Sequence, residues 1–325
     1  MARAPRVSVV VPLYNKGRFV RRALQSISNQ SFGDFEIIVV DDGSTDDGRR
    51  LASDYDDERV LVVTQGNAGP GAARNRGISQ AKGELLAFLD ADDEWYPSYL
   101  EDSVRLLDES RPRIASLTSN AAVYRTGREA QGVWRRGQLP DGPQRVGPQT
   151  AAAEVVTWLA SINPSFTVIR ADAIARWGGF YERERCLYGE DTYLFLKLLL
   201  NETVAFSGEE RGRFYADASQ LSRNYAGPRP VEPFLTRPYE VEAACPPVLR
   251  DLLARVLEIR AYKTACMLGY WGQWRDARAL AERFAVSDWR TPYFVPARVC
   301  ASPAGALLGA GLRALRVPAR EGVKR

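Results

Sequence analysis

Histidine is absent from this chain of 325 residues. Its absence excludes Ser-His-Asp and Cys-His nucleophile systems, histidine-containing zinc motifs and any histidine general base. Cysteine is scarce as well, because the four residues Cys186, Cys245, Cys266 and Cys300 lie far apart and form no Cys-x-x-Cys pair. This spacing argues against a zinc cluster and against a disulfide framework, and it favours a reducing, cytoplasmic environment. The remaining groups for chemistry are carboxylates, lysine, tyrosine and cysteine.

Long hydrophobic runs are also missing. The uncharged stretch from Val299 to Leu312 is shorter than the roughly 20 apolar residues that a membrane-spanning helix needs, and Met1–Arg6 lacks the features of a signal peptide. Hydrophobic residues still make up 45% of the chain, which supports a substantial core. The 44 basic and 40 acidic residues leave a net charge of +4, too small an excess to indicate nucleic-acid binding.

Short apolar segments alternate with amphipathic ones in the first 90 residues. The apolar segments are predicted strands: Val7–Pro12, Phe35–Val40, Val60–Val63 and Leu85–Leu89. Helices are predicted between them, over about residues 18–28, 46–55 and 71–80. Since this alternation is typical of β-α-β units, we expect an α/β fold with a mostly parallel sheet and helices on both faces.

Polar side chains stand at the ends of these predicted strands. They occur in Pro12–Asn15, Asp41–Ser44, Gln65–Asn67 and Asp90–Asp93. Ligands bind beyond the carboxyl ends of the strands in open α/β sheets, so we expect these segments to meet at one ligand-binding edge.

The last of these segments carries three carboxylates, those of Asp90, Asp92 and Asp93. Like charges this close repel one another, so a divalent cation would stabilise them, and oxygen ligands favour Mg²⁺ or Mn²⁺. A metal-bound diphosphate would suit such a site. Capping of the helix predicted near Pro97 is the alternative, and the sequence leaves both interpretations open.

The rest of the chain has a different composition. Glycine and proline in residues 126–149 predict a long loop or loose hairpin, and a strongly apolar helix is predicted over Thr192–Asn201. Four prolines at 228, 230, 233 and 238 predict a linker. The sequence therefore predicts three parts: a catalytic domain in residues 1–227, a linker in residues 228–247, and a small helical appendage with a basic tail in residues 248–325.

Five motifs resemble those of the family-two glycosyltransferases, nucleotide-sugar-dependent enzymes with the GT-A fold. They are Val9–Asn15, Val39–Asp46, Gly69–Gly77, Leu89–Asp93 and Gly189–Asp191. The resemblance covers about residues 6–225, and the order and spacing of the motifs make it specific. It implies a GT-A type nucleotide-binding sheet and a nucleoside diphosphate sugar as donor.

The resemblance also implies a nucleobase pocket. Pro12 and Tyr14 match residues that pack around the base, and Asp42 matches an acid that accepts a hydrogen bond from the ring N–H, typically of uracil. Arg74, with Asn75, would face the nucleotide. A strand-ending turn at Pro12 and Tyr14, and a helix-capping turn at Asp42, remain the structural alternatives.

Asp90 and Asp92 match the Asp-x-Asp element of the family, which binds ribose and metal. Asp92 is the leading metal ligand, Asp90 a candidate for the ribose, and Asp93 a further candidate near the metal. Asp217 stands where many members of the family carry a metal- or phosphate-contacting histidine, so a carboxylate would have to take that role. The implied cofactor is Mg²⁺ or Mn²⁺.

Asp191 matches the general base of the family, and Glu190 would help to position it. Acids in the first turn of a helix also stabilise its dipole, which is the simpler interpretation. The resemblance implies inverting transfer from a nucleoside diphosphate sugar, with a UDP-sugar as the expected donor, to a hydroxyl of a glycan or lipid-linked acceptor. A non-catalytic sugar-binding module and a sugar-phosphate nucleotidyltransferase are the rival functions.

The loops at 126–149 and 177–187 are expected to select the donor sugar and the acceptor. Their sequences contain no motif that identifies either substrate. The basic tail, residues 298–325, predicts either contact with an anionic membrane surface or a solvated segment. We therefore expect a cytoplasmic protein, with peripheral contact at the inner face of the cell membrane as one alternative.

Overall fold

The computed structural model describes residues 3–125, 128–132, 134, 138–218, 228–285 and 290–314. One mixed sheet of ten strands forms its centre. The strands are β1 (Val7–Leu13), β2 (Phe35–Asp41), β3 (Val60–Thr64), β4 (Leu85–Phe88), β5 (Glu94–Trp95), β6 (Ser116–Arg125), β7 (Arg128–Gly132), β8 (Gly142–Arg145), β9 (Thr167–Arg170) and β10 (Thr203–Tyr215). Along the sheet they follow the order β3-β2-β1-β4-β9-β6-β10-β5, with β7 paired to β6 and β8 to β10.

Helices flank the sheet. They are α1 (Gly17–Ser28), α2 (Gly48–Ser53), α3 (Pro70–Gln80), α4 (Tyr99–Glu109), α5 (Ala152–Ser161), α6 (Ala171–Trp177), α7 (Glu190–Asn201), α8 (Pro233–Thr236), α9 (Tyr239–Ala244), α10 (Arg250–Tyr270), α11 (Trp274–Arg283), α12 (Phe294–Cys300) and α13 (Pro303–Ala314). Helix α1 illustrates the pattern, because Val20, Ala23, Leu24 and Ile27 recur at helical spacing and are fully buried.

The parallel sheet predicted from the sequence is found in the first four strands. β1 pairs in parallel with both β2 and β4, and β2 pairs in parallel with β3. Strands β1 and β2 are apolar along most of their length because helices cover both faces. The carboxyl ends of β1, β2 and β4 consequently point to one edge.

The other half of the sheet is mixed, which differs from the mostly parallel arrangement expected. β9 runs antiparallel to both β4 and β6. The chain enters β9 from the edge where β4 ends. At this point the Ser165 hydroxyl accepts a hydrogen bond from the Asp90 amide at 3.1 Å.

The segment predicted as a linker is instead packed against the rest of the protein. It contains α8 and α9, and its side chains Phe234, Leu235 and Val241 are fully buried. They belong to the same core cluster as Leu194 of α7 and Val256 of α10. The prolines interrupt helices, as expected, but the apolar residues between them join the core. The first half of α10 therefore packs on the sheet domain, whereas its second half forms a separate core cluster with α11 and α12.

The last two described helices are α12 and α13. No single helix among the described residues has the length and apolar character needed to cross a bilayer, and only α12 together with α13, bent by 92°, reaches it by combined length and composition.

Candidate active site

A cavity of about 870 Å³ opens at the carboxyl ends of β1, β2 and β4. We call its two walls the strand half (residues 12–16, 42, 67–74 and 90–92) and the helix half (Arg229, Pro230, Glu232 and one face of α10). The segment 185–192 also lines it. Most of the site residues predicted from the sequence line this cavity: Pro12, Tyr14, Asp42, Arg74, Asp90, Asp92, Glu190 and Asp191.

The loop after β1 presents Tyr14 to the cavity. Asn15 adopts a positive φ of 51°, which asparagine tolerates better than most residues. Its side-chain oxygen accepts a hydrogen bond from the Thr45 amide at 2.8 Å, and its own amide donates to the Ser44 hydroxyl at 3.1 Å. These bonds join the loops that follow β1 and β2. Tyr14 is left 39% exposed beside Pro12, as an aromatic surface available to a planar ligand.

Asp42 is buried at the end of β2. Its Oδ1 accepts hydrogen bonds from Gln65 Nε2 and from the Ala68 amide, both at 2.8 Å, and its Oδ2 accepts one from the Gly69 amide at 2.9 Å. An ionised carboxylate has about four acceptor positions, so three are used and one remains on Oδ2. The carboxylate thus fixes the loop before α3 and can still accept one further N–H.

Arg74 of α3 joins two of the predicted acids. Its guanidinium donates to Asp90 Oδ1 at 2.7 Å and to Glu190 Oε1 at 2.9 Å. Burial lowers the pKa of Arg74, but the charges of Asp90, Glu190 and Asp191 outweigh burial and raise it. The arginine is therefore cationic at any working pH, and it connects the end of β4 to the start of α7.

The start of α7 is positioned by two glycines. Gly189 precedes the helix with a φ of +78°, a conformation that favours glycine. Gly71 lies so close to the neighbouring segment that a Cβ there would stand 2.2 Å from the Tyr181 carbonyl oxygen and 3.1 Å from Glu190 Cγ. Close approach of α3 to α7 is what brings Arg74 within reach of Glu190.

Both acids at the start of α7 have raised pKa values. Burial, reinforced by the charge of Asp191, raises the pKa of Glu190 to about 7, although Arg74 opposes the shift. Burial also raises the pKa of Asp191, while the charge of Arg74 and hydrogen bonds lower it. Asp191 Oδ1 accepts a hydrogen bond from the Thr192 amide at 2.7 Å, which orients the carboxylate. A half-buried carboxylate with raised basicity at a cavity wall can act as a general base.

Asp92 forms an ion pair with the side chain of Lys16. Its Oδ2 lies 2.5 Å from Lys16 Nζ, and Lys16 also donates to the Ala218 carbonyl oxygen. Burial raises the pKa of Asp92, with the charge of Lys16 opposing the shift. The Arg22 guanidinium donates to the Asp92 carbonyl oxygen at 2.6 Å and lies 3.6 Å from the centre of the Tyr215 ring. The end of β4 is thus a place that attracts positive charge.

Asp93 and Asp217 do not line the cavity. Asp93 is 1% exposed, and its Oδ1 accepts a hydrogen bond from the Tyr215 amide at 3.0 Å. Burial, followed by the charges of Asp92 and Asp90, raises its pKa well above the ordinary value. Asp217 is exposed on the turn after β10, next to the Ala218 carbonyl that accepts from Lys16. Lys16 therefore brings the turn of Asp217 near the end of β4.

Asn75, which was predicted to face the nucleotide, does not line the cavity. Its side-chain nitrogen donates to the Phe180 carbonyl oxygen at 2.8 Å and to Glu182 at 2.7 Å, and its side-chain oxygen accepts from the Phe180 amide at 2.9 Å. The next position along a helix points about 100° away from the previous one, so Arg74 and Asn75 cannot share a direction. Asn75 fixes the loop before α7.

The residues that could hold a metal ion are few. Among the residues that the structure describes, no group of three His, Cys, Asp or Glu side chains is arranged as a metal cluster. Asp92 does line the cavity, and the Lys16 ammonium on its carboxylate stands in for a bound cation. Since Mg²⁺ is often held by one or two carboxylates together with substrate phosphates, these residues fit an ion bound jointly with a diphosphate.

Sequence reasoning missed two groups of cavity residues. Lys16 directly follows the predicted strand-end segment Pro12–Asn15, so its nearness to the site was readable. The second group lies along one face of α10, at positions spaced by 3, 1 and 3 residues, with Trp271 directly after the helix: Arg260, Lys263, Thr264, Met267 and Trp271. That face mixes polar and apolar residues, and only the packing of α10 against the sheet domain shows that it borders a cavity.

Comparison with known proteins identifies relatives by sequence. The family model described as Glycosyl transferase family 2 matches residues 8–166. The putative glycosyltransferase EpsH of Bacillus subtilis (strain 168) is 44% identical over 103 residues, which are 31% of this chain and 30% of that protein. Glycosyltransferase GlyA of Streptococcus pneumoniae serotype 4 is 30% identical over 230 residues, 67% of this chain and 32% of that protein. The chain thus spans about a third of the length of these relatives.

Solved structures extend the likeness to nearly the whole chain. The crystal structure of residues 1–349 of S. aureus TarS in complex with UDP-GlcNAc has a TM-score of 0.70 at 21% identity, covering 95% of this chain and 92% of that one. The mannosyltransferase PcManGT of Pyrobaculum calidifontis, in complex with GDP-Man and Mn²⁺, has a TM-score of 0.52 at 18% identity, covering 97% and 88%. At these identities the likeness is one of fold, and it confirms the GT-A type fold with its C-terminal helices.

The recognised motifs, the match over residues 8–166 and the shared fold agree with one another. The resemblance expected from the sequence is confirmed, and residues 8–166 of the chain belong to glycosyl transferase family 2.

Proposed function

We propose that this protein transfers a sugar from a nucleoside diphosphate sugar, UDP-linked, to a hydroxyl of a glycan or lipid-linked acceptor, with inversion at the anomeric carbon. One observation carries the proposal: a single cavity gathers Asp42, Asp92 and Asp191 from the ends of β2 and β4 and the start of α7. The presence of UDP-GlcNAc in TarS and of GDP-Man in PcManGT supports a nucleotide sugar as the donor.

The strand half would bind the nucleotide. The free acceptor position on Asp42 Oδ2 suits the imide N–H of uracil, and Tyr14 with Pro12 offers a surface for the base. Asp90 is 34% exposed at its side chain despite its bond to Arg74, so it can still meet a ribose hydroxyl. Nucleotide selection then depends on groups that are already fixed before the ligand arrives.

A divalent cation, Mg²⁺ or Mn²⁺, would be held by Asp92, with Asp93 and Asp217 as further candidates behind it. When bound, such an ion neutralises the negative charge that develops on a departing diphosphate. Lys16 would have to leave Asp92 or share it. The ammonium of Lys16 can then serve as a second positive charge beside the phosphates.

Asp191 would act as the general base. It takes the proton of the acceptor hydroxyl while that oxygen bonds to the anomeric carbon and the bond from this carbon to the diphosphate oxygen breaks. Glu190 and Arg74 orient this end of α7 through their ion pair at 2.9 Å. The absence of histidine from the whole chain leaves a carboxylate as the natural candidate for this role.

A donor panel tests the proposal. Purified protein is incubated with UDP-sugars and GDP-sugars, and nucleotide release is measured with Mn²⁺, with Mg²⁺ and with EDTA. We expect release from at least one UDP-sugar and its loss in EDTA. Failure to turn over every donor, with UDP binding intact, would favour a non-catalytic nucleotide-sugar-binding module.

We also propose that α12 and α13 contact the inner face of the cell membrane peripherally, and that the protein acts there in surface polysaccharide biosynthesis. Their exposed apolar side chains are Val295, Val299, Leu307, Leu308 and Leu312. Residues 315–325 of the predicted basic tail lie outside the described residues. We expect sedimentation with anionic vesicles to be lost in the double variant Leu307→Asp, Leu308→Asp and kept in Val248→Asp, whose exposed valine lies elsewhere. Equal sedimentation of both variants would exclude this surface.

A further inference from the structure

Two cysteines that lie far apart in the sequence meet where α12 packs on α10. Cys266 is on α10 and Cys300 is the last residue of α12, and both are free, half-buried thiols. The other two cysteines are placed differently, because the thiols of Cys186 and Cys245 each donate to a nearby backbone carbonyl oxygen, at 3.2 Å and 3.5 Å. Cys266 and Cys300 are therefore the pair that the fold brings together.

Contacts on both sides of Cys266 hold α12 against α10. Four residues before Cys266, the ring of Tyr262 lies 5.8 Å from the ring of Phe294, centroid to centroid. Three residues after Cys266, a Cβ placed on Gly269 would stand 2.5 Å from Cys300 Cβ and 2.3 Å from the Cys300 carbonyl oxygen. The end of α12 thus lies directly on the backbone of α10, and the two helices pass Cys266 in the same direction.

The two thiols are within reach of each other. Cys266 and Gly269 share a face of α10, because residues three apart on a helix are neighbours. At a rise of about 1.5 Å per residue, they are about 4.5 Å apart along the helix axis. A disulfide joins residues whose Cα atoms are about 4.4 to 6.8 Å apart, so Cys300 beside Gly269 lies close enough to Cys266. Burial, together with the charge of Cys300 and a hydrogen bond between the two side chains, raises the pKa of Cys266 to about 12.

We propose that Cys266 and Cys300 are a redox modification site, at which a reversible disulfide joins α12 to α10. The Cys300 thiolate attacks a small-molecule disulfide such as glutathione disulfide, which forms a mixed disulfide and releases one glutathione thiol. The Cys266 sulfur then gives up its proton and attacks the Cys300 sulfur, and the second glutathione leaves. Two cysteine thiols are oxidised, one glutathione disulfide is reduced, and both protons end on the two glutathione molecules.

The disulfide would fix α12 on the helix that borders the cavity. Cys266 does not line the cavity, but the next residue, Met267, does. Helix α12 carries the exposed apolar side chains of Val295 and Val299, so the bond fixes that surface relative to the cavity wall. Transient disulfides of this kind occur as redox sensors in reducing compartments. Since neither cysteine lines the cavity, the inference is independent of the proposed function.

Glutathione redox buffers test the proposal on the full chain. Purified wild-type protein is equilibrated with an excess of glutathione disulfide, its free thiols are blocked, and its tryptic peptides are identified by mass spectrometry. Trypsin releases Cys266 in residues 264–275 and Cys300 in residues 299–313, and neither peptide contains another cysteine. We expect at least half of these two peptides to be joined to each other, in a protein that migrates as a monomer on a gel without reductant, and to separate in dithiothreitol.

Thermal unfolding gives a second measurement. A disulfide between α10 and α12 closes a long loop in the unfolded chain, so oxidised wild type should melt about 5 °C or more above the reduced protein. Cys266→Ser and Cys300→Ser should each abolish this difference. Cys186→Ser is the matched control, because it replaces another half-buried cysteine and should keep the difference.

Three results of the peptide analysis would overturn the inference. They are free thiols at Cys266 and Cys300, glutathione attached to either cysteine without a link between them, and a link found only in covalent dimers. A melting difference that persists in Cys266→Ser would contradict it as well. The wild-type peptides decide the question even where a serine variant fails to fold, and none of these outcomes depends on sugar transfer.

Discussion

The two halves of the cavity differ in how their charges are matched. In the strand half, acids and bases are paired within hydrogen-bonding distance, as in Lys16 with Asp92 and Arg74 with Asp90. In the helix half, Arg260 is paired with Glu232, whereas Lys263 of the same helix is exposed and forms no ion pair with any residue that the structure describes. Charges that are paired in this way hold the strand half in place before a ligand arrives, while the helix half presents an exposed cation.

Removing Arg74 should damage the strand half most. Arg74→Met leaves the buried Glu190 carboxylate and the Asp90 carboxylate without their partner, and breaking a buried ion pair costs about 3 to 5 kcal/mol of the free energy of unfolding. Chemical denaturation at pH 8 measures this loss. The loss of unfolding free energy should be smaller at pH 5. Glu190, with a pKa of about 7, is then protonated, so it carries no negative charge that Arg74 would have to neutralise.

Arg76→Met is the control for this change, since Arg76 is exposed on the same helix. A loss of similar size in both variants would show that α3 is merely sensitive to substitution, and the paired wall would no longer explain the result.

Asp42→Asn should weaken nucleotide binding by about 10-fold to 100-fold. The Asp42 carboxylate accepts three hydrogen bonds. In asparagine an NH₂ group replaces one of the two oxygens, so at least one of the three N–H donors would point at another donor. The loss of that hydrogen bond costs about 1 to 3 kcal/mol. Calorimetric titration with UDP gives the affinity. The exposed Asp47, changed to Asn, should leave it unchanged, and equal UDP affinity in Asp42→Asn would exclude Asp42 from base recognition.

Much of the strand half was readable from the sequence. Asp42, Asp90 and Asp92 follow apolar strands directly, and the ends of parallel strands meet at one edge, so local pattern and topology sufficed. Asn75 was predicted beside Arg74 because the motif around it does not tell which face of α3 each residue occupies. Asp93 was expected near the metal, yet the bend after β4 turns it into the protein, where it accepts from the Tyr215 amide.

The helix half was not readable in the same way. Most of its residues lie on α10, which packs beside the cavity in a core that Phe234, Leu235 and Val241 share with α7. The prolines of that segment suggested an open linker, and local propensity could not reveal that tertiary packing overrides it. Contacts between residues far apart in sequence decided the position of this wall.

Lys16→Met should increase the difference in charge between the two halves of the cavity, because it removes a cation from the strand half. The Lys16 ammonium competes with any divalent ion for Asp92, so its loss should tighten Mn²⁺ binding in the presence of UDP by about 3-fold to 10-fold. Paramagnetic relaxation of water by free Mn²⁺ follows this binding. Arg21→Met, an exposed cation of α1, serves as the control, and weaker Mn²⁺ binding in Lys16→Met would mean that Lys16 assists the ion instead.

The pH dependence of transfer should show the smallest effect. A base works only when ionised, and burial raises the pKa of Asp191, so kcat/KM should begin to fall at a higher pH than it would for an ordinary aspartate. Glu190→Gln removes a neighbouring negative charge, which lowers the pKa of Asp191 and moves the acid limb to lower pH by less than about one unit. Glu101→Gln, in the first turn of α4, should leave the limb in place.

The most direct test of the account compares two aspartates in equivalent positions. Asp191 is the second residue of α7, and Asp251 is the second residue of α10, where it is exposed. Asp191→Asn and Asp251→Asn therefore lose the same helix-dipole interaction, but only the first loses the proposed base.

We expect kcat for sugar transfer to fall by about 10²-fold to 10⁴-fold in Asp191→Asn, with UDP affinity within twofold of wild type, and to stay unchanged in Asp251→Asn. Transfer at the wild-type rate by Asp191→Asn would contradict the central claim that this carboxylate deprotonates the acceptor.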